Sequence, residues 1–237
     1  MEKSLSEQTA LITGGATGIG RAFTEALLEA GIRTVVIASR RGGVLEDTAN
    51  ALNAKYGERV HTYIFDIRNQ YQVEDLVKAT IEEFGAIDIL INNSGLAVPE
   101  TVTEITDEGW NKVMETNLRG AMWLTQLVLP NMLEQDFGDI INVSSQAGKN
   151  GYADVPSYCA SKFGLLGFAE SVRDDMRKRG ANIRVFNFCP GLVDVDSPVD
   201  QPPKPGFIHV RNIAKTLTYA LSLDRNVNLE DISIYCR

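Results

Sequence analysis

The sequence is poor in the side chains from which metal centres and hydrolytic triads are commonly built. Its two histidines, His61 and His209, leave a His-rich metal site or a His-based triad little to work with. Three cysteines, Cys159, Cys189 and Cys236, are odd in number and widely spaced, which points to reduced thiols in a cytosolic, cytoplasmic setting. No run of about 18 apolar residues occurs, so no membrane-spanning segment is expected. The opening stretch Met1–Glu7 is polar, and no secretory leader is expected from it. Basic residues are also in deficit: 23 Lys and Arg against 31 Asp and Glu leave a formal charge of −8. A nucleic-acid partner is therefore not expected, because phosphate backbones are held by clustered cations. What remains is ample for a core. A chain of 237 residues, 44% of them hydrophobic, fits one globular domain spanning residues 1–237 that needs neither disulfides nor metals. Composition thus points to an enzyme or a binder of small molecules.

Short β-branched runs alternate with helix-period stretches along the whole chain. The strand candidates are Thr9–Thr13, Thr34–Ala38, Val60–Phe65, Ile87–Asn92, Asp139–Val143, Ile183–Cys189 and Asp231–Tyr235. Most are near-continuous apolar runs, as expected of strands covered on both faces. Helices are expected over Gly18–Ala30, Gly43–Tyr56, Asn69–Phe84, Thr106–Glu134, Val155–Arg179 and His209–Leu223. Asn69 with Gln72 has the form of a capping box, and Gly31, Gly85 and Gly180 each follow a helical pattern. Such alternation implies right-handed βαβ units around a parallel sheet, an α/β doubly wound architecture in three layers. The proline-rich stretch Asp194–Gly206 is expected to be a surface loop.

The segment Thr13-Gly14-Gly15-Ala16-Thr17-Gly18-Ile19-Gly20 follows the first strand and opens the first helix. Gly14 can take the tight turn, Gly18 admits a pyrophosphate to the backbone, and Gly20 lets helix and sheet pack closely. The helix N-terminus then faces the phosphates with free N–H groups. A fold of this kind that uses NAD places an acidic residue about 20 residues further on, to hold the ribose 2′-hydroxyl. Here the second strand ends in Ser39-Arg40-Arg41, without a carboxylate. A guanidinium there can clamp a 2′-phosphate, so the expected cofactor is NADP(H).

Tyr158 and Lys162, four residues apart, share one helix face. A nearby ammonium favours phenolate over phenol, so such a tyrosine can exchange a proton with a carbonyl or alcohol oxygen. The fifth strand ends at Ser144-Ser145 and the fourth at Asn92-Asn93-Ser94-Gly95, both at the carboxyl edge where open α/β sheets bind ligands. Ser145 can hydrogen-bond the reacting oxygen. Asn117, among Met114, Leu118 and Met122, reads either as a site residue or as a satisfied core amide.

With these motifs the chain resembles the short-chain dehydrogenase/reductase family over almost its whole length. Thr13–Gly20 matches the family's TGxxxGxG, Asn92–Gly95 its NNAG with Ser94 for Ala, and Tyr158–Lys162 its YxxxK. Ser145 stands thirteen residues before Tyr158, and Pro190-Gly191 follows the sixth strand as the family's PG does. The resemblance implies a Rossmann fold whose seven-stranded parallel sheet has the order 3-2-1-4-5-6-7. It implies that Tyr158 is the proton donor, that Ser145 orients the substrate, and that Lys162 holds the nicotinamide ribose while lowering the Tyr158 pKa. Asn117 would complete a tetrad by fixing a water. The loop residues Gly14, Thr17, Gly18, Ile19 and Gly20 would line the cofactor, with Ser39, Arg40 and Arg41 at its 2′-phosphate. Asp66 and Ile67 would meet the adenine, Asn93 the adenine-side ribose region, and Pro190, Gly191 and Val193 the nicotinamide. The implied activity is NADP(H)-dependent hydride transfer between a small-molecule carbonyl and the corresponding alcohol.

Two departures stand out. Val195 occupies a position where the family often has Thr, so nicotinamide anchoring there is expected to rest on backbone groups. The segment from Leu192 to Phe207 is short. With four prolines it is not expected to form a helical lid, which leaves an open, shallow substrate site unless a neighbouring subunit covers it; the alternative is a tight pocket closed by Leu192–Phe207 in one fixed conformation. The closing pattern Asn226–Ile232 resembles a subgroup of NADP-dependent carbonyl and hydroxy-acid reductases. Gly164 and Gly167 imply close helix packing, either within the chain or in a homodimer or homotetramer as the family commonly forms. Cys159 is expected to be a packing residue, and Trp110 and Trp123 core residues. The rival to an enzyme is a non-catalytic NADP(H)-binding sensor on the same fold. That rival predicts loss of Ser145, Tyr158 or Lys162, and all three are present. An isomerase or lyase would be expected to carry a larger C-terminal substrate domain.

Overall fold

The computed structural model describes residues 3–197 and 201–236. Strands β1 (Thr9–Thr13), β2 (Thr34–Ser39), β3 (Val60–Ile64), β4 (Ile89–Asn92), β5 (Gly138–Val143) and β6 (Ile183–Pro190) fall where the sequence places them. A short pair, β7 (Val193–Asp194) and β8 (Ile208–His209), precedes β9 (Asp231–Ile234). The helices are α1 (Gly18–Glu29), α2 (Gly42–Tyr56), α3 (Gln70–Phe84), α4 (Asp107–Met114), α5 (Gly120–Glu134), α6 (Pro156–Arg179) and α7 (Val210–Ser222).

The main sheet is parallel throughout, in the order β3-β2-β1-β4-β5-β6-β9, and is the doubly wound Rossmann arrangement. Side chains alternate between its faces, so Ala10 and Ile12 pack with α1, α2 and α7 while Leu11 packs with α3, α5 and α6. β1, β2, β4, β5 and β6 are buried almost throughout, as their apolar runs predict. The outer strands β3 and β9 alternate between covered and exposed residues, because each has a neighbouring strand on one side only.

One polar row crosses the sheet from the last residue of β4 to the first of β9. Asn92 donates to Asn142, Asn142 to Asn187, and Asn187 to the Asp231 carboxylate, at 3.0, 3.2 and 2.8 Å. These residues are register partners on β4, β5, β6 and β9, so the row ties the four strands together in register. Several local expectations hold in modified form. Asn69 caps α3 by accepting from the Gln72 N–H, but the Gln72 side chain accepts from the Asp66 N–H instead of closing a reciprocal box. The expected helix Thr106–Glu134 is broken between α4 and α5 by a π-helical turn, Glu115–Arg119. Trp110 is 37% exposed, not core, whereas Trp123 packs at the edge of the core.

Candidate active site

The loop between β1 and α1 is built around backbone contacts that admit no side chain. Gly14 and Gly18 have φ of +65° and +56°. A Cβ on Gly20 would stand 2.3 Å from the Gly14 carbonyl oxygen. Thr24 Oγ1 donates to Gly15 O and Gly20 O, and Asn93 Nδ2 donates to Thr13 O and Gly14 O, so the loop is held from both sides. Thr17 is the N-cap of α1 but makes no side-chain cap, which leaves the first-turn N–H groups facing the groove. Thr13 also ties β1 to β4, accepting from the Asn93 and Ser94 N–H groups at 3.0 and 2.9 Å. Only its place at the head of the glycine motif marked it in the sequence.

A cleft of about 220 Å³ runs from this loop, lined by Gly14, Thr17, Ser39, Arg40, Arg41, Phe65, Ile67, Asn93 and Thr116 among others. Arg41 reaches Thr17 Oγ1 at 3.5 Å, and Arg40 stands exposed at its mouth. Of the expected adenine contacts, Ile67 lines the cleft together with Phe65. The Asp66 carboxylate is instead held by the Arg68 guanidinium at 2.7 and 3.1 Å, which keeps it below the usual carboxylate range. The cleft brings together a glycine turn, a helix N-terminus, the apolar side chains of Phe65 and Ile67 and two guanidiniums at the end of β2, a set that fits a dinucleotide.

Ser145, Tyr158 and Lys162 converge on a second cavity of about 800 Å³, which Ile19, Asn93, Pro190, Gly191 and Val193 also line. α6 begins at Pro156, so Tyr158 sits in its first turn and Lys162 one turn on. A buried carboxylate, Glu100, accepts from Ser157 Oγ at this helix start, where the helix dipole favours a negative charge. Burial pushes the Tyr158 phenol above its ordinary pKa, and a hydrogen bond with the Ser145 hydroxyl pulls it back. Lys162 is buried close by. Its Nζ donates to Val143 O at 2.7 Å and lies 5.6 Å from the Tyr158 ring centroid, and burial brings its own pKa down to about 8. The buried ammonium bonds the nearest strand carbonyl, and burial favours the neutral form of both groups.

Asn117 lies in the π-turn, behind the cavity wall. Its amide donates to Leu96 O at 2.8 Å and to Ser161 Oγ at 2.9 Å, and its Oδ1 accepts from the Leu96 N–H. The side chain is thus buried with its amide satisfied, tying the strand β4 exit to α6. Gly95 gives this cluster room, since a Cβ there would stand 3.3 Å from Lys162 Nζ and 3.5 Å from Asn117 Oδ1.

The stretch after β6 is more ordered than a plain surface loop. β7 pairs in parallel with β8, and the Asp194 carboxylate accepts from Ser197 Oγ and from the N–H groups of Asp196, Ser197 and Lys204. These bonds hold Asp194 well below the ordinary carboxylate range. Among the described residues no helix forms between β7 and β8, as the prolines predict; Pro198 lies outside them. Val195 turns toward the glycine loop, 3.6 Å from the position of a Cβ on Gly18. Gly164 packs within the chain, where a Cβ would stand 2.9 Å from Leu118, whereas Gly167 faces open space. Cys159 is buried and its Sγ accepts from the Tyr152 N–H at 3.3 Å, consistent with a packing role.

Comparison with known proteins matches residues 8–204 to the short chain dehydrogenase family model. A ketoacyl reductase, HetN, of Nostoc is 35% identical over 92% of this chain and 76% of its own length. A metagenomic short-chain oxidoreductase in complex with NADP superposes with a TM-score of 0.85 at 26% identity, covering 99% of this chain and all of its own. A short-chain dehydrogenase/reductase from Burkholderia phymatum in complex with NAD gives 0.86 at 25% identity, covering 98% and 90%.

Proposed function

Since the chain belongs to the short-chain dehydrogenase family of NAD(P)-dependent oxidoreductases, we propose that it interconverts a small-molecule carbonyl and its alcohol with NADP(H), using Tyr158 as proton donor and acceptor. The observation that carries the reading is the convergence of Ser145, Tyr158 and Lys162 on one cavity that continues to the glycine loop. Gly14, Thr17, Gly18, Ile19 and Gly20 would receive the pyrophosphate, and Ile67 with Phe65 the adenine. Asn93 would lie at the adenine-side ribose, Lys162 at the nicotinamide ribose, and Pro190, Gly191 and Val193 beside the nicotinamide. Preference for NADP(H) over NAD(H) rests on Ser39, Arg40 and Arg41, which offer a 2′-phosphate two guanidiniums, with no carboxylate among the described residues that line that cleft.

When bound, the nicotinamide supplies the hydride in reduction and takes it in oxidation. The protein does the rest. Ser145 donates a hydrogen bond to the carbonyl oxygen, and Tyr158 gives that oxygen its proton as negative charge develops there. A phenol whose pKa is raised by burial stays protonated at neutral pH, the form that reduction requires. Lys162, held on Val143 O, is one helical turn away and is placed to exchange this contact for the ribose. Asn117 acts through position, fixing the Leu96 backbone and Ser161 around the lysine. The free thiols of all three cysteines accord with a cytoplasmic site of action. Exposed Phe163, with open Gly167 one turn on, gives α6 a face suited to a second copy of the chain.

The decisive experiment is Tyr158→Phe assayed with NADPH and a carbonyl panel. Turnover should fall by about 10²–10⁴-fold while cofactor binding persists, as for loss of a general acid. Full activity in that variant would refute the mechanism, and a wild-type protein that binds NADPH without turning over any carbonyl would favour the sensor.

A further inference from the structure

Away from the reacting pair, the cavity is short of charge. Lys162 is the only charged side chain among its described lining residues, and its ammonium donates to Val143 O, the contact it would exchange for the cofactor ribose. Much of the remaining wall is apolar, including Leu96, Ala97, Val155 and Leu192. Two further polar side chains are bonded back to the chain: Ser144 Oγ donates to Lys162 O, and Asn93 Nδ2 to the glycine loop.

One polar pair interrupts that wall. Tyr152 Oη donates to Gln146 Oε1 at 3.1 Å. Gln146 directly follows Ser145, at the start of a 3₁₀ turn that the Ser145 side chain caps. The amide lies against Gly191, where a Cβ would stand 2.5 Å from Gln146 Nε2. Gln146 lines the cavity, and with Oε1 receiving the phenol its Nε2 donors remain, set against Gly191. No acceptor among the described residues takes them. A half-buried amide without an acceptor loses hydration when a substrate fills the space, unless the substrate brings an acceptor of its own.

We propose that the site selects neutral carbonyl compounds bearing a second acceptor oxygen close to the reacting carbonyl, the arrangement of a keto ester or keto amide, with Gln146 Nε2 donating to that oxygen. It discriminates against the corresponding keto acids. A carboxylate would exchange its hydration for an apolar wall and one neutral donor, with no free cation among the described lining residues to compensate. This inference rests on the reading of the site as a carbonyl reductase. Gln146 and Tyr152 are then specificity determinants that act on the part of the substrate that does not react.

The test uses a matched series of methyl ketone, keto methyl ester and keto acid, each offered with NADPH and with NADH. The ester should exceed the acid at least a hundredfold in kcat/KM. Gln146→Leu should reduce the ester-to-ketone ratio of kcat/KM at least tenfold, chiefly through the KM for the ester. Tyr152→Phe, which releases the amide without removing it, should reduce the same ratio by less and serves if Gln146→Leu does not fold. A keto acid turned over as well as its ester overturns the proposal, as does a Gln146→Leu variant whose ester-to-ketone ratio is unchanged. If none of the three compounds reacts with either cofactor, the carbonyl-reductase reading itself falls.

Discussion

Replacing Lys162 by methionine should abolish activity and, at neutral pH, make the cofactor-free protein more stable. The lysine is buried with its pKa brought down from 10.5 to about 8, chiefly by desolvation. At about 1.4 kcal/mol per pK unit, that difference corresponds to a destabilisation of about 3 kcal/mol whenever the ammonium is charged in both folded and unfolded states. This holds below pH 8. Between pH 8 and 10.5 the folded protein releases the proton before the unfolded chain does, so wild-type stability rises with pH and the penalty fades. Above 10.5 the lysine is neutral in both states and the penalty is gone. Lys162→Met removes the penalty at every pH, but Val143 O loses its donor at 2.7 Å. An unpaired acceptor of that kind costs about 1–2 kcal/mol. The net gain at pH 7 is therefore about 1–2 kcal/mol, or about 4 °C in Tm for a chain of this length. Thermal unfolding of both proteins at pH 7 and pH 10, at one protein concentration, measures it. The variant should lead at pH 7 and lose that lead by pH 10. A variant less stable at pH 7, or a lead that does not change with pH, would refute the reasoning.

Two further outcomes follow from the groove and from the exposed face of α6. Arg40→Ala should weaken NADPH binding by about ten- to a hundredfold, the equivalent of a lost charge-assisted bond of about 1.5–3 kcal/mol, with little effect on NADH; titration by fluorescence checks it, and equal loss for both cofactors removes the 2′-phosphate assignment. Sedimentation at micromolar concentration should show a species larger than the 26.0 kDa chain, shifted toward the monomer by Phe163→Glu on the exposed α6 face; a wild type found only at 26.0 kDa contradicts the oligomer.

What the sequence makes legible here is what depends on neighbours a few residues away. The strand, glycine turn and helix from Thr9 to Glu29 can be read because each glycine answers a local backbone demand, and Tyr158 with Lys162 share a face because of helical spacing. The features that were missed depend on partners far along the chain. β7 and β8 are two residues each, too short to carry a period, and pair across thirteen intervening residues. The π-turn at Glu115–Arg119 adds no breaker to the helical pattern; its imprint is the set of bonds from Asn117 to Leu96 and Ser161. Lys162 shows the limit most clearly. Its spacing from Tyr158 places the side chain near the phenol, but a long stem with three donors reaches whichever acceptor burial leaves open, and that acceptor is the carbonyl of Val143, at the end of β5. Gln146 follows the same rule. Its position next to Ser145 is a matter of sequence, whereas the direction of its amide is decided by Tyr152 and by the missing side chain of Gly191. Spacing therefore identifies which groups meet in such a site, and the competition among distant acceptors decides which of their donors remain for a substrate.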